Sequence, residues 1–220
     1  MTSNSPLFRQ IQKPGAGLFL ILALAIANPA FQKTNVSPTL RSDKSTPAQL
    51  VFTVDPATST LHWTLDTTLH MVHGTFAVKR GEVTIDSANG NATGEIVVDA
   101  TSGKTDNDSR DKKMHQEILE TGRFAEIVFR VSHVDGLAAP LSKSHLKLNG
   151  TFTIHGSQHE MLVPADIDFA GDHWTGTATF VVPYIDWGIK NPSNFLLKAN
   201  PTVDAILELS GSLHPASKAP

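Results

Sequence analysis

The sequence predicts an all-β domain of antiparallel strands carrying one short α-helix around residues 110–120, and three observations lead there. Apolar and polar residues alternate with period two from Leu50 onward. Turn-forming residues separate the alternating segments at short intervals. A single stretch carries helical spacing instead. Period-two alternation means strands with one face toward an apolar interior and the other toward water.

The strands are read in chain order. Leu61, Trp63 and Leu65 share a face, opposed by His62 and Thr64. Val83 and Ile85 follow, then Ile96, Val98 and Ala100, then Ile127, Phe129 and Val131. Leu146, Leu148, Gly150, Phe152 and Ile154 form one face against Lys147, Asn149, Thr151 and Thr153. Val163, Ala165, Ile167 and Phe169 come next, then Trp174, Gly176, Ala178, Phe180 and Val182, and last Val203, Ala205, Leu207 and Leu209. Turns are expected at Asp55-Pro56, Asn89-Gly90-Asn91, Asp135-Gly136, His155-Gly156-Ser157 and Gly171-Asp172. Connections this short join antiparallel neighbours and leave no room for the helical crossovers of a parallel sheet.

Asp108 to Gly122 is the exception. Met114, Ile118 and Leu119 fall on one helical face, Asp108 or Ser109 is placed to cap the start, and Gly122 to end it. Asp106, Asp108, Arg110 and Asp111 are expected to cap this helix and form a solvated charged face, and the sharper alternative is an Arg110–Asp111 ion pair that pins it over the barrel end. About eight strands and one helix fit either a closed barrel or a sandwich, and the pattern alone leaves both open.

The N-terminus reads differently from the rest. Arg9 and Lys13 precede the uncharged run Gly17 to Ala27, with the small residues Ala25 and Ala27 at its end and Ala30 after it as possible cleavage points. That order is expected of a secretory signal peptide over residues 1–30. The run falls short of the roughly 20 residues of a membrane span. Residues 31–49, rich in Ser, Thr, Asn, Pro and Lys, are expected to be a linker, residues 50–215 the barrel domain, and 216–220 a tail. The mature protein is therefore expected in the periplasm or secreted. A net charge of -3 points away from a nucleic-acid partner, and the absence of cysteine excludes disulfides and thiolate chemistry.

Several segments in order resemble the YceI-like family of bacterial polyisoprenoid-binding, lipocalin-like proteins. Phe52 to Pro56 with Ser59 is similar to that family's opening strand and turn. Val72-His73-Gly74-Thr75-Phe76 resembles its V-x-G-x-F stretch. Arg110-Asp111 with Met114, then Phe124 and Ile127-Val128-Phe129, resembles its helix and aromatic strand, and Leu148 to Gly156 its G-x-L-T-I-x-G strand-turn. The resemblance runs from about Val51 to Leu213 and implies an eight-stranded antiparallel barrel that binds an isoprenoid-type lipid, such as a quinone or polyprenol, without catalysis and without a further cofactor.

Trp63, Phe76, Phe129, Phe152, Phe180 and Leu207 are the large side chains expected to line the interior, and Phe124, Trp187 and Leu196 its mouth. The competing expectation is a filled core, with the protein acting through its surface in a stress response. Gly150, Gly176, Ala178 and Ala205 on the same inward faces favour open space. Tyr184 to Lys198 interrupts the pattern and is expected to be a loop over an opening. Among ten histidines, the pairs His70/His73 and His155/His159 have helical spacing but lie in strands or turns, which leaves a metal site the weakest reading. No G-x-S-x-G, H-E-x-x-H, Walker or G-x-G-x-x-G motif is present. The partner expected is thus an isoprenoid-type lipid, and a homodimer is compatible with the sequence.

Overall fold

The computed structural model describes residues 49–216. The expected signal peptide, the linker up to residue 48 and the tail beyond Ala216 lie outside the described residues. The strands are β1 (Gln49–Val54), β2 (Thr60–Asp66), β3 (Met71–Asp86), β4 (Asn91–Asp99), β5 (Glu126–Asp135), β6 (Ser144–Ile154), β7 (Ser157–Ala170), β8 (His173–Val182) and β9 (Val203–Pro215). From β3 to β9 each strand pairs antiparallel with the next, and β9 returns to pair with both β1 and β2.

Nine strands make an eight-stranded closed barrel because β1 and β2 are two halves of one stave. Both lie between β3 and β9: Phe52 faces Val83 and Leu213, and Leu61 faces Phe76 and Leu207. Asp55-Pro56 is therefore no hairpin, in contrast to its sequence reading. Asp55 caps a 3-10 turn over Pro56–Thr58, accepting the Ala57 N–H at 3.0 Å, and the chain resumes in the same direction. The Asp55 N–H donates to the Ser210 carbonyl at 2.8 Å, and the Ser210 N–H donates to Ser59 Oγ at 3.1 Å. The buried Ser59 hydroxyl thus replaces the ladder partner that the break removes from β9.

The other connections divide by end. At one end, β7 and β8 are joined by Gly171-Asp172 and β3 and β4 by residues 87–90, and β5 and β6 by residues 136–143, a longer loop than Asp135-Gly136 suggested. At the opposite end, β6 and β7 are joined by His155-Gly156, both at positive φ (51° and 76°), the type I′ geometry that matches strand twist. The same end carries the helix and a long loop over residues 183–202. Helix α1 (Asp108–Lys113) runs on into a π-helical turn over Met114–Ile118. Asn107 is its N-cap, accepting the Arg110 N–H at 2.9 Å, one residue before the expected position. Glu120, at φ 45°, takes the left-handed conformation that Gly122 was expected to supply.

Outside the barrel, charges tie β3, β4 and β5. Glu126 accepts from Lys79 (2.8 Å) and Arg80 (3.0 Å), and Glu95 from Arg80 (2.9 Å) and Arg130 (3.2 Å). Hydrogen bonds from Lys79 and Arg80 hold the Glu126 carboxyl below its ordinary pKa.

Two outcomes are expected. Gly94 sits at φ 141° where the β4–β5 register shifts, and a Cβ there would strike the Glu82 carbonyl. Gly94→Ala lowers stability by about 1–3 kcal/mol in denaturant unfolding. Glu126→Gln lowers the melting temperature by about 1–3 °C at neutral pH. Because the folded pKa of Glu126 is depressed, its contribution is present above the ordinary glutamate range and lost as pH falls through the depressed value, so wild type and variant converge below that value.

Candidate functional site: a two-chambered barrel interior

The interior is built by three levels of large side chains separated by space. At the end with the short turns, Phe52 meets Trp174 edge-on (centroids 5.8 Å apart) and Phe169 (6.2 Å), and Trp174 Nε1 donates to the Ser212 carbonyl at 3.0 Å. This plug closes the bottom. At mid-height Phe152 and Phe180 meet edge-on at 6.1 Å, with Leu61 and Ile127 completing a waist. Between plug and waist lies a lower chamber of about 110 Å³, bordered by Phe129, Val163, Gly176, Ala178 and Leu207.

Above the waist lies an upper chamber of about 330 Å³. Trp63, Leu65, Phe76, Val182, Val203 and Ala205 form its barrel wall. Met114, Ile118 and Leu119 cover it from the helix, the three residues whose spacing marked the helical face. Tyr184, Ile189, Pro192 and Leu197 cover it from the 183–202 loop. Its hydrophilic lining residues, Thr67, His70, Arg110, Lys113 and Asn194, come from the turns, helix and loop at the mouth, while the wall's Trp63 keeps a buried indole N–H without a partner. Burial pushes the Tyr184 pKa up, and its hydroxyl donates to the Asn200 carbonyl at 2.7 Å.

Helix and loop hold each other across this mouth. Lys190 Nζ donates to Glu117 Oε2 at 2.9 Å, which pulls the Glu117 carboxyl below its ordinary pKa, and Lys113 Nζ reaches the Pro192 carbonyl at 3.5 Å. The alternative of an Arg110–Asp111 ion pair is not what the structure shows. Both meet at Thr105: Arg110 Nε donates to Thr105 Oγ1 (2.9 Å), and Asp111 Oδ1 accepts from the Thr105 N–H (2.9 Å) and hydroxyl (2.5 Å). His115 anchors the helix base, its Nε2 donating to the Gly103 carbonyl at 2.9 Å.

Of the side chains singled out from sequence, Trp63 and Phe76 line the upper chamber, Phe129 and Leu207 the lower, and Phe152 and Phe180 both. Three line neither. Phe124 packs outside on His155 (4.5 Å) and Gly156 under the Arg123 guanidinium. Trp187 stacks on His159 (4.1 Å, 6° between planes) and reaches the far side of Phe152 at 5.5 Å. Leu196 is 78% exposed beside the mouth. The loop residues Tyr184, Ile189, Pro192 and Leu197 escaped the sequence reading because a loop has no period to assign a face. Among the described residues no cluster of three His, Asp or Glu side chains is placed to hold a metal ion.

A closed antiparallel barrel, plugged at one end and chambered beneath a helix and loop at the other, defines the lipocalin-like class. Within it, the chain belongs to the YceI-like domain family, whose model matches residues 52–210. Burkholderia cenocepacia BcnA is similar in structure at 15% identity, with a TM-score of 0.59 over 72% of this chain and 99% of that one. A polyisoprenoid binding domain from Saccharophagus degradans, implicated in plant cell wall breakdown, is similar at 16% identity, with a TM-score of 0.58 over 76% of this chain and 99% of that one. At such identities the likeness is one of fold. No curated protein matches the chain.

The Glu117–Lys190 clasp carries a prediction. Glu117→Gln speeds backbone amide exchange in the 183–202 loop at neutral pH. Wild type approaches the variant as pH falls through the depressed Glu117 pKa, and hydrogen exchange read by mass spectrometry at neutral pH and below that pKa checks this.

Proposed function

We propose that this protein binds and carries or stores a polyisoprenoid or quinone-like lipid in its upper chamber, without catalysis, after export to the periplasm or cell exterior. The observation that carries the reading is the upper chamber itself: about 330 Å³ of space walled by aromatic and aliphatic side chains, with charged side chains only at its mouth. A well-packed core would have filled that space. Tail burial of several hundred Å², at about 25 cal/mol per Å², supplies ample affinity before the ordering costs of the lipid are subtracted. Family membership and the description of the Saccharophagus degradans domain as polyisoprenoid binding support the ligand class. Export is supported by the order of charged, apolar and small residues in the first 30 positions.

Native mass spectrometry of the protein purified from its own host tests the reading, and a co-purifying lipid of isoprenoid mass is the expected result. Ala205 is the position for a control. It is 3% exposed, faces Trp63 on β2 and Phe180 on β8, and borders the chamber. Ala205→Phe fills the space and is expected to reduce retention of a quinone analogue at least about tenfold while the variant still unfolds cooperatively. Retention unchanged in this variant, or a protein that binds neither quinone nor polyprenol, rejects the proposal.

A further inference from the structure

The mouth of the upper chamber carries large apolar side chains that nothing in the fold uses. Phe195 is 95% exposed, Leu196 78%, Leu69 68% and Met71 61%. They come from two places, the β2–β3 turn with the first residue of β3 and the 183–202 loop, which are tied together. The Thr68 N–H donates to the Lys198 carbonyl at 2.9 Å, the Lys198 N–H to Thr68 Oγ1 at 3.2 Å, and the Asn200 N–H to the Asp66 carbonyl at 2.8 Å. Thr67 and Ala199 form a bridge between them. The four side chains therefore ride on one joined rim. Their neighbours Thr67, His70, Asn194 and Leu197 line the chamber, so the rim borders its opening.

We propose that this rim docks on a lipid bilayer, dipping Phe195, Leu196, Leu69 and Met71 into the interface so that lipid passes between membrane and chamber without crossing water. The inference rests on the lipid-binding reading for its purpose, not for its geometry. Size favours a bilayer over a protein. Four tips offer on the order of a few hundred Å² of apolar surface. A stable dimer or complex buries about 800 Å² on each partner. A shallow, reversible insertion needs only a few large apolar side chains at a turn, with polar and cationic groups behind them. Lys198 lies two residues from Leu196 and is exposed, placed to reach the headgroup layer while its stem follows the apolar tips. A ligand whose tail fills an apolar chamber is itself a bilayer component, and a rim that parts lipid at the opening shortens its path.

The chain has no cysteine, so a single introduced thiol reports from one place. Full-length Phe195→Cys, labelled with an environment-sensitive fluorophore, is mixed with vesicles of phosphatidylethanolamine and phosphatidylglycerol. Asp172→Cys, at the plugged end, is labelled and treated in the same way. The expected result is a blue shift and brightening at position 195 and none at position 172. No response at 195, or equal responses at both, overturns the proposal, the latter because another part of the chain would then hold the vesicle. Separately, the double variant Phe195→Ser, Leu196→Ser is expected to take up a quinone analogue from vesicles at least about tenfold more slowly, while binding the analogue offered in detergent as wild type does. Equal uptake rates overturn the proposal. If neither protein binds the analogue from detergent, the lipid-binding reading fails while the fluorescence still decides the docking. Self-association of wild type that the double variant loses, with no response at 195, assigns the rim to a second copy and overturns it.

Discussion

The barrel depends on backbone hydrogen bonding at the seam where β9 meets β1 and β2. A sheet that fails to close there would expose two long edges, each a row of unpaired N–H and C=O groups. Closure is harder than a plain meander requires, because the first stave is broken: the ladder runs from Leu50 against Pro215 to Val54 against Gly211, then resumes at Thr60 against Glu208. Ser210 sits opposite the gap, and its carbonyl and N–H would be stranded there. Asp55 and Ser59 satisfy one each. The break lets one stave follow both long neighbours, β3 and β9, as they bend around the cylinder.

Closure fixes the diameter, and the diameter decides how the interior is occupied. Eight strands enclose room for side chains or one small ligand. The chain distributes its bulk unevenly along the axis instead of filling that room evenly. Phe52, Phe169 and Trp174 converge at the bottom, Phe152 and Phe180 at the waist, and Trp63 and Phe76 stand above. Ala178 and Gly176 on β8 and Ala205 on β9 leave the intervals open. The waist makes the lower chamber a small annex of the upper one, and rotation of Phe152 or Phe180 about its side-chain bonds is the motion that would join them.

Much of this was legible in the sequence, and the limits have physical causes. Period two assigns each strand residue to a face, which is why Trp63, Phe129, Phe152, Phe180 and Leu207 were picked out, and with Phe76 of the V-x-G-x-F stretch all border a chamber. Periodicity does not say which inward residues from different strands stand at one height, because that depends on the stagger of the closed sheet. The waist was invisible for that reason. Asp55-Pro56 looked like a hairpin because cap chemistry and turn chemistry use the same residues. Phe124 and Trp187 were assigned to the mouth by their position near connections. In the structure, Phe124 finds the His155 ring and the bare backbone of Gly156, while Trp187 finds His159, and these aromatic contacts hold them off the chamber.

The two ends of the barrel then stand in a relation that follows from the connections. Up-and-down topology places the turns after β3, β5 and β7 at one end and the connections after β2, β4, β6 and β8 at the other. At the first end only the β5–β6 loop is of any length, and three aromatic rings pack the interior behind the turns. The second end carries the helix, the 183–202 loop, the exposed apolar rim and all the polar lining of the upper chamber. Opening the plugged end would break core packing that closure itself stabilises. Opening the other end asks only that a loop and a helix part, held at their tips by the exposed Glu117–Lys190 pair and one long hydrogen bond from Lys113. Exposed pairs of that kind hold weakly. Entry and exit are therefore directed to one end by the difference in cost between unpacking a core and releasing a clasp.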